Sequence, residues 1–430
     1  MLPQFGDASK LAPPFTLVVK YYVTSLAFFI TGVALTLVNY RDLDAFYFQP
    51  HILSITHILA LGWITMIMSG AMFQLIPVSF HVRVFSISMA YLQYFLLTLG
   101  TIGMAAEFYV FNTGAVFVVS ASLAFVALVI FGLNVSVTLL RADKLNITGY
   151  HYLTAIVFLL IAISIGIMLA LNLRYGFLDV NHIEILKVHV HVAIVGFITL
   201  VIFGAVYQLI PMFSLAYEFS QTFGWIAYAL TIIGVIGYAM GTVFGQNALI
   251  AQFGSVVMAA GVFAFLIQCR IIFQKRMRKR LDVGMKQTVM SLVFLGVAAF
   301  LLAFSSLVRR PLGLDPDRIA FAVSFLVFYG YIGSLILGQM LKIGPFLTWL
   351  HKYSDKVGVA NVPALHEMVD RRSARLQFRL WSLGVPLAAL GMILRQNIIL
   401  LIGCSAMFLA SLAFLFVQYK IFMKEPAKAG

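Results

Sequence analysis

The segment HILALGWITMIMSGAMFQLIPV, residues 57–78, has one histidine at the start of an apolar run that closes on Gln-Leu-Ile-Pro. The segment HVAIVGFITLVIFGAVYQLIPM, residues 191–212, repeats that order, and ten of the 22 paired positions are identical. At the same interval again, FLVFYGYIGSLILGQMLKIGPF at 325–346 keeps the glycines and the proline but begins with phenylalanine. The chain therefore predicts an internal repeat in which two of three copies carry a histidine.

The composition places this repeat in a membrane. Of 430 residues, 62% are hydrophobic and 10% charged, and the mean hydropathy is +1.01. A soluble domain of this length is excluded because its surface must carry more charge. Apolar runs of about 20 residues or more are long enough to cross a bilayer as helices. Twelve such spans are predicted, at 16–39, 50–80, 84–106, 111–140, 149–172, 183–213, 220–244, 246–274, 285–308, 317–350, 374–394 and 396–423.

The repeat and the span count together predict the architecture. The interval between successive copies of the motif contains four spans, so the chain reads as one transmembrane domain, residues 1–430, made of three four-helix units. The units cover about 14–145, 146–280 and 281–424. Transporters with twelve spans usually divide as six plus six. Three units entering the membrane in the same sense instead predict an all-α integral membrane protein with pseudo-threefold symmetry, in which spans 2, 6 and 10 are equivalent.

The net charge of +14 indicates how the chain is oriented in the membrane rather than that it binds nucleic acid. Lys and Arg collect in the loops that follow even-numbered spans, as in QKRMRKRLD at 274–282 and DRRSAR at 370–375. The positive-inside rule then places both termini in the cytoplasm, with the chain in the inner (cytoplasmic) membrane of a cell. Contacts with anionic lipid headgroups explain this charge, so the predicted partner is the lipid bilayer and no nucleic acid is expected.

Two histidines are the candidate ligands. His57 and His191 lie seven to eight residues inside the outer ends of their spans, which at 1.5 Å per residue is about 11 Å deep. A neutral imidazole can bind heme iron, copper or zinc, and an intramembrane polar group is costly unless it has a partner. The alternative for each is a hydrogen bond to a nearby carbonyl or hydroxyl group.

The remaining histidines carry weaker signals. His182 and His189, seven residues apart, share one helix face, whereas His189 points roughly opposite to His191. Glu184, Lys187 and His191 form a stripe at i, i+3 and i+7, which indicates an ion pair above the candidate site. His151 lies near a cytoplasmic helix end, where contacts with solvent or headgroups are expected to explain it.

Spans 2 and 6 resemble subunit I of the heme-copper oxidase superfamily. The stretch HVAIVGFITLVIFGAVYQLIPMF at 191–213 is similar to the helix of cbb3-type oxidases and nitric-oxide reductases that reads His-Asn-Ala-Val-Gly-Phe before an aromatic residue and a proline. The resemblance implies twelve helices in three arcs of four. It also implies that His57 matches an axial ligand of the low-spin heme and His191 a copper ligand.

The departures from that family decide the expected activity. Span 7 lacks the two adjacent histidines that complete the family's copper site, and span 10 has Phe325 where the repeat would place a histidine. We therefore predict a divergent member that lacks the full copper and heme ligand set and reduces neither oxygen nor nitric oxide.

Two classes of function stay open. In the first, the chain binds a b-type heme between His57 and His191 and serves electron transfer, heme handling or a nitric-oxide response, together with other membrane or redox subunits. In the second, it is a transporter or assembly factor for copper, heme or a small solute on the same scaffold, with copper rather than heme at the histidines. The oligomeric state is not predicted.

Overall fold

A computed structural model describes residues 11–179, 181–243, 248–307, 316–357 and 361–424. Within these ranges the chain forms twelve helices that are long and apolar enough to cross a membrane, and it contains no β-strand. The all-helical membrane prediction is confirmed. The helices are α1 Phe15–Val38, α2 Pro50–Phe80, α3 Ile87–Tyr109, α4 Ala115–Leu140, α5 Ile147–Tyr175, α6 His182–Ser214, α7 Thr222–Val243, α8 Ala248–Gln274, α9 Val283–Ser305, α10 Asp317–Lys352, α11 Arg371–Leu394 and α12 Asn397–Met423.

Three of these helices change from α-helical to π-helical hydrogen bonding at corresponding positions along the chain. An eight-residue π-helical segment interrupts α2 at Ile58–Thr65, α6 at Val192–Thr199 and α10 at Leu326–Gly333. The three segments are equally spaced along the chain, since 192 − 58 and 326 − 192 both equal 134. In α2 and α6 the candidate histidine is the residue immediately before the π-helical segment. Such segments are rare and occur frequently at functional sites.

The fifth residue of each π-helical segment is a glycine that lies against a phenylalanine ring. A side-chain Cβ at any of these glycines would lie less than 3.0 Å from the Cγ atom of that ring, which is closer than two carbon atoms can approach. Only glycine therefore fits at these contacts. The pairs are Gly62 with Phe28 of α1, Gly196 with Phe158 of α5, and Gly330 with Phe294 of α9.

The chain forms two compact units. The first consists of Met1–Phe28, Phe48–Met277 and Leu302–Arg309, and its core includes a stacked pair of rings, Phe203 and Phe265, with centroids 3.7 Å apart. The second consists of Phe29–Tyr47, Arg278–Leu301 and Arg310–Gly430.

The core of the second unit is built around the fully buried side chain of Trp381. Its indole N–H donates to the carbonyl oxygen of Tyr329 and the hydroxyl oxygen of Ser334, each at 3.2 Å. The ring of Phe29 packs against it, with centroids 5.7 Å apart. This indole therefore links α11 to α10 while leaving no polar atom of its own unsatisfied.

Side-chain amides hold the loops that precede α3 and α7. The Asn134 amide accepts from the Ser86 N–H at 3.1 Å and donates to the Ser86 carbonyl at 2.8 Å. The Gln268 amide makes the equivalent contacts, donating to the Ser220 carbonyl at 2.7 Å and accepting from the Gly224 N–H at 3.0 Å. These amides satisfy backbone groups that helix starts leave without partners inside the helix.

Candidate functional site

The first unit contains an apolar cavity of about 120 Å³ between α2 and α6. Helices α3, α4 and α5 complete its wall. Three imidazoles interrupt an otherwise apolar lining, those of His57, His182 and His189. The apolar lining consists of Phe48, Leu53, Leu61, Met104, Phe108, Ala121, Ala124, Phe125, Leu128, Ile163, Gly166, Ile167, Leu169, Ala170, Leu173 and Leu186.

His57 is held in one orientation and one tautomer. Its Nδ1 lies 2.8 Å from the carbonyl oxygen of Leu53, one helical turn earlier. A carbonyl oxygen only accepts, so Nδ1 carries the proton and Nε2 presents a lone pair. The ring stacks on Phe108 of α3, with centroids 4.8 Å apart and planes inclined by 27°. This is the form in which a histidine binds a metal through Nε2.

His189 faces the same cavity from α6. Its Nδ1 lies 2.9 Å from the carbonyl oxygen of Ala162 on α5, which again assigns the proton to Nδ1 and the lone pair to Nε2. The ring lies against Gly166, where a Cβ would be 2.9 Å from His189 Cε1. The side chains of His57 and His189 both line this cavity. The structure therefore brings His57 and His189 together.

His191 has a similar backbone bond but different surroundings. Its Nδ1 lies 2.8 Å from the Lys187 carbonyl oxygen, and its ring stacks on Tyr238 of α7, with centroids 3.9 Å apart. His191 does not belong to the cavity lining. His189 and His191 lie two positions apart, about 200° around a helix, so they cannot face one cavity together. A site shared by His57 and His191 stays a prediction, and the geometry favours His189 as the partner.

The third imidazole belongs to His182, which is the first residue of α6. Its ring meets Phe48 edge-on, with centroids 5.6 Å apart, and its Nδ1 lies 3.5 Å from the Asn172 side-chain nitrogen. His182 and His189 share the face expected from their spacing. Nevertheless, among the residues that the structure describes, no three His, Cys, Asp or Glu side chains are close enough to hold one metal ion. The cavity lining therefore contains two imidazoles within the helices, those of His57 and His189, and a third at the start of α6.

Of two further expectations, the structure confirms one, an ion pair, and contradicts the other, the exposure of His151. The Lys187 ammonium group lies 2.9 Å from the Glu184 carboxylate, as the i, i+3 spacing predicted. The expectation that solvent or headgroups surround His151 is wrong, because its side chain is completely buried. The reason is that the first turns of α5 are covered by tyrosines of α6 and α7, Tyr207 and Tyr228.

A second cavity, of about 250 Å³, lies in the second unit and has a different chemistry. Charged residues line it, among them Asp44, Arg318 and Arg395. Arg318 donates to the Asp44 carboxylate at 3.2 Å, so two of these charges are already paired. Its lining contains no histidine and no cysteine, and its one methionine is Met392. This cavity therefore offers no imidazole to a heme or copper.

The fold has a counterpart among solved structures. One chain of a heme-copper terminal oxidase dimer, solved by cryo-electron microscopy, superimposes with a TM-score of 0.75 over 96% of this chain and 85% of that chain, at 12% sequence identity. No protein-family profile matches the sequence. No curated protein matches it either. The chain therefore shares the fold of that oxidase chain, and at this identity the similarity extends to the fold alone.

Proposed function

We propose that the chain is a membrane heme protein that holds a b-type heme in the cavity between α2 and α6. His57 and His189 are the residues proposed to hold it. The observation that carries this proposal is that both imidazoles line one apolar cavity while each donates its Nδ1–H to a backbone carbonyl. Two Nε2 lone pairs then remain for a metal, and the carbonyl bonds raise their basicity.

The residues present fit a heme in their chemistry. Two neutral imidazoles are a common ligand set for heme iron, and leucine, alanine and phenylalanine side chains suit a porphyrin. The open space of about 120 Å³ approaches that of an apolar cavity that admits benzene, about 150 Å³. A porphyrin is larger, so binding requires side chains of the lining to turn aside, and the unbranched Met104 turns most easily.

The proposed ligation determines which kinds of chemistry the site supports. A heme supplies a reversible one-electron centre when it is bound. The chain's own residues would hold the group through the imidazoles of His57 and His189 and would orient it against the apolar lining of the cavity. Electron transfer, heme handling and a nitric-oxide response are the uses compatible with that arrangement.

We further propose that the purified protein does not reduce oxygen or nitric oxide. The basis is the sequence of α7, which has no histidine, and Phe325 at the position in α10 that corresponds to His57 and His191. Oxygen and nitric-oxide electrodes with a suitable electron donor would measure this directly. Sustained turnover would show that ligands come from residues other than those described above.

The alternative is a transporter or assembly factor that moves copper, heme or a small solute. The observation that favours it is His182, since a third imidazole at the start of α6 lines the same cavity as the two inner ones. Imidazole nitrogens suit copper as well as heme iron. In this alternative the histidines form successive contacts along an entry path rather than one permanent site.

An absorption spectrum of the purified protein separates the two functions. A Soret band together with a pyridine hemochrome signal supports the heme protein, and His57→Ala should abolish both. A colourless preparation that contains copper, or that contains no metal, supports the alternative. His51→Ala is the matched control, because His51 lies on the same helix but packs against Tyr109, with ring centroids 4.4 Å apart, and lies outside the cavity lining.

We also propose that the three four-helix units are structural repeats. Their support is the recurrence of the π-helical segment and of the glycine–phenylalanine contact in the second helix of each unit. The cavity proposed for the heme would then lie between the second helices of the first and second repeats.

A further inference from the structure

A second group of buried polar atoms lies near the start of α5, apart from the histidine cavity. His151 is completely buried, and its Nδ1 lies 2.8 Å from the Ile147 carbonyl oxygen. That oxygen only accepts, so Nδ1 carries the proton and Nε2 presents a lone pair. Among the residues that the structure describes, His151 Nε2 has no hydrogen-bond partner. The buried imidazole therefore has an acceptor nitrogen that no described residue satisfies.

The neighbouring side chain of Tyr207 on α6 presents the complementary group. Its ring meets the His151 ring edge-on, with centroids 5.3 Å apart. Its hydroxyl group is buried and also lacks a partner within the described part of the chain. The Tyr228 hydroxyl, on the other ring beside His151, is already paired with Thr154 at 2.6 Å. An unsatisfied donor and an unsatisfied acceptor thus belong to adjacent side chains.

Packing alone requires neither polar group. The corresponding positions of the first and third proposed repeats are buried and apolar, so aliphatic or phenyl side chains fill them. These positions are Leu17 and Met285 for His151, and Phe73 and Leu341 for Tyr207. The imidazole and the hydroxyl therefore occur together in one of the three corresponding places and in neither of the others. Packing therefore does not explain their joint presence.

We infer that one water molecule binds between His151 and Tyr207. It accepts a hydrogen bond from the Tyr207 O–H and donates one to His151 Nε2. Buried polar groups without a protein partner commonly bind ordered water, whose removal is costly. His151 is the fifth residue of α5, about 6 Å along the helix from its first residue, so water from the adjacent membrane surface needs to travel only a short distance.

A double-mutant cycle tests whether the two groups act together. His151→Leu and Tyr207→Phe each introduce the side chain found at the corresponding position of the first repeat, Leu17 and Phe73. Each single variant should lower the apparent melting temperature, because it leaves the other polar group without its bridge. The double variant should melt well above the value that the sum of the two shifts predicts. Additive shifts would contradict the inference.

Tyr152→Phe provides the matched control, because the Tyr152 hydroxyl is buried and unpartnered within the described residues, whereas the tyrosine rings that pack against His151 are those of Tyr207 and Tyr228. Its effect should add to that of His151→Leu. A cryo-electron microscopy map that resolves ordered water then identifies the bridge. Density within hydrogen-bond distance of both His151 Nε2 and Tyr207 Oη is expected. A direct Tyr207–His151 hydrogen bond, or a map without density between them, would overturn the inference.

Discussion

At the scale of single residues, the cofactor site depends on the directions in which two histidines of α6 point. His189 turns toward α5 and the cavity, whereas His191 turns toward Tyr238 on α7. Both have Nδ1 bonded to a carbonyl, so hydrogen bonding does not distinguish a ligand from a packed histidine here. The two histidines differ in their surroundings, since His189 lines the cavity and His191 packs on Tyr238.

Substitution of these two histidines is therefore a matched comparison. His189→Ala should abolish the low-spin heme spectrum, because it removes one of the two proposed ligands. His191→Ala should leave that spectrum in place, because it removes a ring stacked on Tyr238 outside the cavity. Absorption spectra of both purified variants would measure the difference. The reverse result, loss with His191→Ala and retention with His189→Ala, would restore the pairing of His57 with His191.

The spacing of the histidines is sufficient to predict part of this arrangement. It places His182 and His189 on one face and His191 on another, and it identifies His57 at a corresponding place in α2. It does not indicate which face of α6 meets the cavity, since that depends on the neighbouring helices rather than on α6. For the same reason the sequence suggests a solvated His151, whereas tyrosines from α6 and α7 bury it.

At the scale of helices, apolar length predicts the spans well. The predicted span 50–80 is Pro50–Phe80 in the structure, and the predicted span 149–172 is Ile147–Tyr175. The π-helical segments are not predictable in this way, because an extra residue in a turn does not alter an apolar run that is hydrophobic all round. The glycines within them stand out in the sequence, but their phenylalanine partners on other helices do not.

The glycine–phenylalanine contact predicts the effect of a methyl group. Gly62→Ala should destabilise the protein by about 1–3 kcal/mol, since the new Cβ would overlap the Phe28 ring. Gly237→Ala is the matched control, because a Cβ there lies 3.5 Å from its nearest neighbour, which is an ordinary contact. Thermal unfolding in detergent would compare the two. Equal melting temperatures for both variants would show that the Phe28 ring can move away at little cost.

The start of α11 predicts a dependence on pH. The Asp370 carboxylate caps this helix by accepting from the Arg372 and Ser373 N–H groups, and it lies 2.7 Å from the Lys420 ammonium group. The hydrogen bond from Lys420 is the largest of the effects that lower the pKa of Asp370 from 3.8 to about 2. The folded state therefore binds this proton less readily than the unfolded state does. The stabilisation is present above pH 3.8 and is lost as the pH falls through about 2.

Melting temperatures of the unmodified protein and of Asp370→Asn, measured between pH 5 and pH 2, test how much the Asp370 charge contributes to stability. Asp370→Asn keeps an oxygen for the cap but removes the charge, so its stability should change less over this interval than that of the unmodified protein. Asp370→Ala removes the cap as well and should cost about 0.5–2 kcal/mol at neutral pH. Parallel pH profiles for the unmodified protein and Asp370→Asn would show that this carboxylate does not contribute.

At the scale of the whole molecule, the charge distribution predicts how the chain crosses the membrane. With both termini in the cytoplasm, the loops after α8 and α10 face the cytoplasm and the loop between α3 and α4 faces outward. That orientation places the starts of α2 and α6, and with them the histidine cavity, toward the outer surface.

Cysteine labelling tests this orientation. Lys279→Cys and Leu365→Cys should react with a membrane-impermeant thiol reagent only from the cytoplasmic side. Asn112→Cys, in the loop after α3, should react only from outside. The native Cys269 and Cys404 are buried and provide a low background. Labelling of residue 279 from outside would invert the topology and move the cavity to the cytoplasmic half of the membrane.

The proposed function depends on what occupies the space between α2 and α6, and a cryo-electron microscopy map of the purified protein shows that directly. The predicted result is porphyrin density in this cavity, with its iron bound by Nε2 of His57 and Nε2 of His189. A map in which the cavity is closed by Phe108, Phe125 and the surrounding leucines, with neither porphyrin nor metal density beside His57, would contradict the account.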